Sequence, residues 1–344
     1  MKLLLIGDLH FGEKGNSRKH NQQTLDLIDW CIENYRGHVD AVIQEGDYFH
    51  DRTKVQLETL EAGILGAKKL STAFGKENVY VLAGNHDIFY LNRLDTTSLR
   101  AIEPYATLIA EPTVLEDDKT VLTPWIVDED HWKDVCDAAE QYEYVIGHFE
   151  LNGFDMGGGY VMEHGYSPKA LKQYTRVISG HYHSPQQKGN VTYTGIPFPV
   201  TMSEANKEMG VWLFDTEANT LEMVQYDKVK VFTLTYEQYK SGDYELDENT
   251  TIRVEVPDDI SDDDLKALES DFEESASEFK IKYEGNKAKE LVEADIQVTE
   301  VENIDDSVLN SFDQVNYKSD DIDPALLKKL YGKAMTYQQQ DADA

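Results

Sequence analysis

The sequence predicts a layered α/β domain of mixed β-sheets flanked by helices, followed by a small β-α-β module and a C-terminal helical segment. Three observations predict it. Over the first two-thirds of the chain, short apolar runs of strand length alternate with longer amphipathic stretches. The later apolar runs arrive without helices between them, so the sheet becomes mixed or a second layer forms. Beyond about Phe232 the chain turns more acidic, and one further strand–helix–strand pattern appears.

Strands are predicted at 2–7, 40–44, 78–83, 120–125, 142–146, 176–179, 191–194, 210–215 and 221–226, each an apolar run of buried-strand length. Helices are predicted at about 19–35, 54–74, 130–140 and 168–174, where apolar residues recur at i, i+3/i+4, as in Leu57, Leu60 and Ile64. In the module, 251–256 reads as a strand ended by Pro257. Ser261 then reads as an N-cap with Asp262, Asp263 and Asp264 in the first turn, where the helix dipole favours acids. That helix continues to about Ser277, and 279–283 reads as a second strand. After Gly285 the chain is polar until Asp323 and Pro324, an N-cap and N1 proline for a last helix with Leu326, Leu327, Leu330 and Tyr331 on one face. The expected organisation is a main domain over 1–231, a capping domain over 232–284, a linker over 285–321 and a C-terminal helical segment over 322–344.

A chain of 344 residues, 40% hydrophobic and 10% aromatic, can bury at least one full core, which excludes a disordered protein. The apolar run at 2–6 meets Asp8 and His10 at once, too soon for a signal segment or a membrane span. No later run is long enough either, so no membrane association and a cytoplasmic location are expected. Cys31 and Cys136 make no metal pattern and fit a reducing compartment. The net charge is −33, with −15 over residues 1–239 and −18 over 240–344. Proteins that bind phosphate backbones usually carry a basic footprint. A nucleic-acid partner would therefore require bound cations or a second protein to offset the repulsion.

Five short motifs each follow a predicted strand: Asp8-Leu9-His10, Gly46-Asp47-Tyr48-Phe49-His50-Asp51, Gly84-Asn85-His86-Asp87, Gly147-His148 and Gly180-His181-Tyr182-His183. The carboxyl ends of strands are where open α/β sheets place their sites. Carboxylates, an amide and several imidazoles form a mixed N/O set that suits Mn²⁺ or Fe²⁺, and sometimes Zn²⁺. Two such ions need a shared ligand, and Asp47 is the candidate bridge. A pair of ions would acidify a water as nucleophile and take charge from phosphoryl oxygens in the transition state. The glycine before each ligand is expected to let the chain turn sharply off its strand. Any one dipeptide is a weak signal, but six of the ten histidines sit in these motifs.

In this order the motifs resemble those of the calcineurin-like metallophosphoesterase superfamily. Gly46-Asp47-Tyr48-Phe49-His50 and the segment Gly147-His148-Phe149-Glu150-Leu151-Asn152-Gly153 are similar to the SbcD family of double-strand-break repair nucleases, and most similar to its tailed-phage recombination-endonuclease branch. The resemblance runs from Met1 to about Tyr226, and beyond that rests on layout alone. It implies a metallophosphoesterase sandwich in which Asp8, His10, Asp47 and His183 hold one metal, while Asp47, Asn85, His148 and His181 hold the second. His86 would face the scissile phosphate as charge stabiliser or proton donor, and His50 would orient that phosphate. It also implies two divalent ions, Mn²⁺ above others, and Mn-dependent exonuclease and single-strand endonuclease activity in DNA-end processing. The partners implied are DNA, a second copy in a homodimer, and an SbcC-type coiled-coil ATPase bound by 322–344. The cytoplasm would be that of the host if the gene is a phage's.

Plainer readings stand beside these. His50 could cap the following helix, Asp51 and Asp87 read as capping or bracing residues, and His20, His38, His131 and His164 lie outside any motif. The glycines at 157–159 lack the Lys-Ser/Thr of a phosphate-cradling loop. Lys14, Arg18, Lys19, Arg52 and Lys54 could touch DNA phosphates or simply be solvated. Three functions fit: the DNA-end nuclease, a metallophosphoesterase acting on a small nucleotide or cyclic phosphodiester, and a non-catalytic adaptor. The acidic charge favours the second and the intact ligand set opposes the third.

Overall fold

The computed structural model describes residues 1–284 except 118, 158, 243, 245–248 and 274–277. The linker and terminal helix expected after 284 lie outside the described residues. In chain order the elements are β1 (Lys2–Ile6), the short irregular turn α1 (Glu13–Asn16), α2 (Arg18–Tyr35), β2 (Ala41–Gln44), α3 (Leu57–Phe74), β3 (Val79–Leu82) and β4 (Thr107–Ile109). There follow β5 (Thr113–Val114), β6 (Thr120–Leu122), α4 (Glu129–Ala138), β7 (Tyr144–His148), β8 (Arg176–Gly180), β9 (Gln186–Lys188) and β10 (Val191–Tyr193). Last come β11 (Gly210–Asp215), β12 (Thr220–Gln225), β13 (Lys230–Thr235), α5 (Tyr236–Ser241), β14 (Thr250–Val256), α6 (Asp262–Glu273) and β15 (Glu278–Tyr283).

Two six-stranded mixed sheets carry the architecture, in the orders β12-β11-β1-β2-β3-β4 and β5-β6-β7-β8-β10-β9. In the first, β1, β2, β3 and β4 are parallel, with Leu3 opposite Ala41 and Leu5 opposite Ile43. β11 closes it by pairing antiparallel with β1, Lys2 against Asp215. In the second, β6, β7, β8 and β10 are parallel, and β5 and β9 are antiparallel edges.

The pleat sends alternate residues to opposite faces, and here both faces are covered. Leu4, Ile6 and Val42 pack against Leu25 and Ile28 of α2 and Leu70 of α3. Their neighbours Leu3, Leu5 and Ile43 turn the other way, to meet Leu122, Ile146 and Ile178 of the second sheet. Val121, Val145 and Val177 on that sheet's far face pack on Trp132 and Val135 of α4. The result is helix, sheet, sheet, helix, and burial on both faces explains why the central strands read as unbroken apolar runs.

The structure departs from the sequence expectations in a few places. β4, β5 and β9 have only two or three residues each, too few for a pattern. α3 begins at Leu57 because Asp51 Oδ1 accepts the Thr53 and Lys54 N–H groups in a separate turn. The expected helix at 168–174 is a single 3-10 turn, Pro168–Leu171, since β8 starts at Arg176. β7 extends to His148 rather than ending at 146, so that ligand candidate is the strand's own last residue. A third sheet has the order β13-β14-β15, with α6 between β14 and β15 in the chain. The Ser261 hydroxyl accepts the Asp264 N–H as the expected N-cap. β13 runs across residues 231 and 232, where the domain boundary was expected.

Candidate metal centre

Because β1, β2 and β3 are parallel in one sheet, and β7 and β8 in the other, their carboxyl ends come out on shared edges. The five sequence motifs sit on these ends, and the structure brings the nine expected site residues together. Asp8, His10 and His183 offer ligand atoms within 4.8 Å of one another, and so do Asp47, His148 and His181. His10 Nε2 faces His183 Nε2 at 3.2 Å. Asp47 Oδ2 lies 3.3 Å from His148 Nε2 and 3.8 Å from His10 Nε2, so one carboxylate touches both groups. Asn85 Oδ1 stands 3.1 Å from His148 Nε2 and 3.0 Å from His181 Nδ1. His50 and His86 form a third group with His10, and their rings stack at 5.3 Å.

The backbone bends to do this. His10, Asp47 and His181 have φ of 45°, 52° and 92°, in the left-handed region that non-glycine residues rarely enter. Such outliers persist where the surroundings over-determine them, and they gather at functional sites. The chain turns at the candidate ligands themselves. This corrects the expectation that each preceding glycine makes the turn: among Gly7, Gly46, Gly84, Gly147 and Gly180, only Gly46 has positive φ. Gly84 and Gly180 serve close approach instead. A Cβ on Gly84 would lie 2.2 Å from Asp47 Oδ1, and one on Gly180 would lie 2.5 Å from Asp8 Oδ1.

A ring of bracing groups holds the donors. Asp87 accepts the backbone N–H groups of Tyr48, Phe49 and Gly84, tying two motif loops to each other. The His181 N–H donates to Asp8 and the His86 N–H to Asp47. His148 Nδ1 faces the Glu45 carbonyl at 2.8 Å, which directs Nε2 toward Asp47 and Asn85. Three carboxylates pair with histidines: Glu13 with His50 at 2.6 Å, Glu204 with His183 at 3.4 Å and Glu150 with His181 at 3.7 Å. Carboxylates in this position orient a ligating imidazole and raise its basicity. His20, which lies outside every motif, is buried with Nε2 against the carbonyls of Leu9 and His10.

Glu13, Glu45, Glu150 and Glu204 were missed by sequence reasoning. Glu150, two residues past His148, and Glu45, directly before Gly46, stood beside recognised motifs and could have been found; Glu204 carries no local signal.

The electrostatics are those of a cation site. Asp8, Glu45, Asp47, Asp87 and Glu204 are buried, and among the described residues no Lys or Arg is. Burial pushes the Asp8 carboxyl up to about 6 and Glu45 up to about 8. Burial would also raise Asp47, but the His148 imidazole beside it holds that carboxyl well below the usual range. Burial disfavours protonation of His148, yet Asp47 outweighs it and pushes the imidazole up to about 10. Burial drives His10 well below its ordinary value, favouring a neutral ring, and its Nδ1 is buried without a hydrogen-bond partner. Buried carboxylates of this number demand positive charge. Imidazoles supply it poorly, because a protonated ring is no ligand. Divalent cations meet the demand and leave the rings neutral, so the donor set fits two borderline metal ions.

Comparison with known proteins is consistent with this chemistry. Residues 1–185, which include all nine site residues, match the calcineurin-like phosphoesterase family. Over 285 residues the chain is 30% identical to exonuclease subunit 1 of Enterobacteria phage T4, covering 79% of this chain and 81% of that protein.

Proposed function

We infer the activity of this chain from the premise that it belongs to the calcineurin-like phosphoesterase family. We propose that it is a two-metal DNA nuclease, the subunit that processes DNA ends in recombination and double-strand-break repair. The observation that carries the reading is a pair of donor groups linked through Asp47, with His86 and His50 beside them. The likeness to a phage exonuclease subunit supports DNA as the substrate.

In this reading Asp8, His10, Asp47 and His183 hold one ion, and Asp47, Asn85, His148 and His181 hold the other. When bound, the ions supply an acidified water as nucleophile and draw charge off the phosphoryl oxygens. The protein positions and protonates. His86 Nδ1 donates to the His50 carbonyl at 2.5 Å, which leaves Nε2 facing away from it; only as the imidazolium would that nitrogen carry a proton to hydrogen-bond the phosphate or to give to the leaving oxygen. Hydrogen bonding to Glu13 raises the His50 pKa, so His50 is more often charged and can orient the phosphate. Trp125, its ring centroid 5.3 Å from that of His181, walls one side of the group.

The nitrogen-rich set favours Mn²⁺. Residues 322–344 would dock on an SbcC-type coiled-coil ATPase, and the chain would act as a homodimer. Truncation after Asn316 should spare metal binding and abolish co-purification with the ATPase; a truncated chain that still binds it fully removes that role. Cleavage assays on single- and double-stranded DNA with Mn²⁺ test the nuclease reading. The second reading is a phosphodiesterase for a small nucleotide, favoured by the charge of −33. It takes over if a cyclic dinucleotide or bis(p-nitrophenyl) phosphate is hydrolysed and no DNA is.

A further inference from the structure

Phe89, Tyr90 and Leu91 come one residue after the Gly84-Asn85-His86-Asp87 motif, and they are 43%, 42% and 45% exposed. Single exposed apolar residues are ordinary; three in a row on a well-tied loop are less so. Ile88 is buried and bridged to Thr97. The Phe89 N–H donates to the Thr96 carbonyl at 3.0 Å, and Ser98 donates to the Asp87 carbonyl. Trp125 Nε1 donates to the Leu91 carbonyl at 3.2 Å. Trp125 in turn lies against the rings of His181 and His148, at 5.3 and 6.1 Å between centroids. The loop therefore runs from His86 at one end to the wall of the second donor group at the other. On it the Phe89 and Tyr90 rings meet edge to face at 4.7 Å, and the Arg93 guanidinium lies 3.7 Å from the Tyr90 centroid.

We propose that Phe89 and Tyr90 are a stacking platform for an unpaired nucleobase next to the scissile phosphate, which makes single strands and frayed ends the substrate. The inference rests on the nuclease reading and adds the element that selects the strand. A chain of net charge −33 cannot draw its grip on DNA mainly from phosphate neutralisation. Stacking needs no net charge and tolerates any base, and one stacked base is commonly worth roughly tenfold in affinity or more. The Arg93 guanidinium, ion-paired with Asp95 at 3.2 Å, lies over one face of the Tyr90 ring and braces it, leaving stacking to the faces it does not cover. A base inside a duplex has no free face, so paired DNA cannot use the platform.

The test uses the full chain with Mn²⁺ and single-stranded oligonucleotides in which one abasic nucleotide is moved stepwise past the cleavage point. For the unaltered protein, kcat/KM should fall about tenfold at one or two adjacent positions and little elsewhere. In Phe89→Leu/Tyr90→Leu, which keeps apolar bulk and removes both rings, that position dependence should vanish. A 2-aminopurine at the sensitive position should be quenched on binding to the unaltered protein and stay bright with the variant. Equal rates at all abasic positions in the unaltered protein, or an undiminished dependence in the variant, overturn the platform while leaving the nuclease reading intact. Hydrolysis of bis(p-nitrophenyl) phosphate with no cleavage of any oligonucleotide defeats the nuclease reading, and the platform with it.

Discussion

Asp47 Oδ2 stands 3.3 Å from His148 Nε2 and 3.8 Å from His10 Nε2, and its other oxygen accepts the His86 N–H at 2.8 Å. Removing it takes a ligand from both donor groups and releases the loop that carries His86. Asp47→Ala is therefore expected to lose metal and activity together. His86→Ala should retain both ions and lose activity by ~10²-fold or more, the usual cost of a proton donor or charge stabiliser. Metal content by mass spectrometry, read beside the cleavage rate, separates the two; an empty site in His86→Ala would show that its role is ligation. Asp87 is a different case, since its carboxylate collects three backbone N–H groups in the buried wall of the site. Asp87→Ala leaves those donors without their acceptor and should destabilise the fold by about 3 kcal/mol or more in urea unfolding.

At the scale of elements, Gly180 shows how the sheets meet. It ends β8, and a Cβ there would sit 2.5 Å from Asp8 Oδ1 and 2.7 Å from the Glu45 carbonyl, both just past strands of the other sheet. Gly180→Ala should push the strand ends apart and weaken metal binding by at least tenfold in titration calorimetry, while the circular dichroism spectrum stays unchanged. Metal affinity equal to that of the unaltered chain would mean the ends can relax at no cost. The central strands were legible in the sequence because burial on both faces leaves unbroken apolar runs such as Leu3-Leu4-Leu5-Ile6. The motif residues were legible because spelling and order coincide at strand ends. Strand pairing was not, because β1 takes its antiparallel neighbour from residues 210–215. The orienting carboxylates were hidden by abundance: with 65 acidic residues, nothing local distinguishes Glu204, 21 positions past His183.

For the whole molecule, the buried acids predict that metal binding and folding are coupled. Ions that bind the folded chain but not the unfolded one stabilise it by about 2.7 kcal/mol per site at a hundredfold excess over Kd. Mn²⁺ should raise the melting temperature by several degrees, and a chelator should lower it; a melting temperature indifferent to both would count against the two-ion site. Mg²⁺ should do little in either stability or activity, because nitrogen-rich sites bind it weakly. The acidity also predicts that DNA binding by the isolated chain depends only shallowly on salt. A steep slope in log K against log salt would reveal a basic footprint that the sequence does not suggest.

The pairing of β1 with β11 also sets an order in time. The strand that leads into Asp8 and His10 is made well before its partner at 210–215, which lies beyond the whole second sheet. At ~5–20 residues per second, roughly 10–40 s of translation separate the two. Until then β1 has a bare edge, and His183 and Glu204 arrive only near the end of that wait. The donor set is therefore complete only once His183 has been made, and β1 gains its antiparallel neighbour later still.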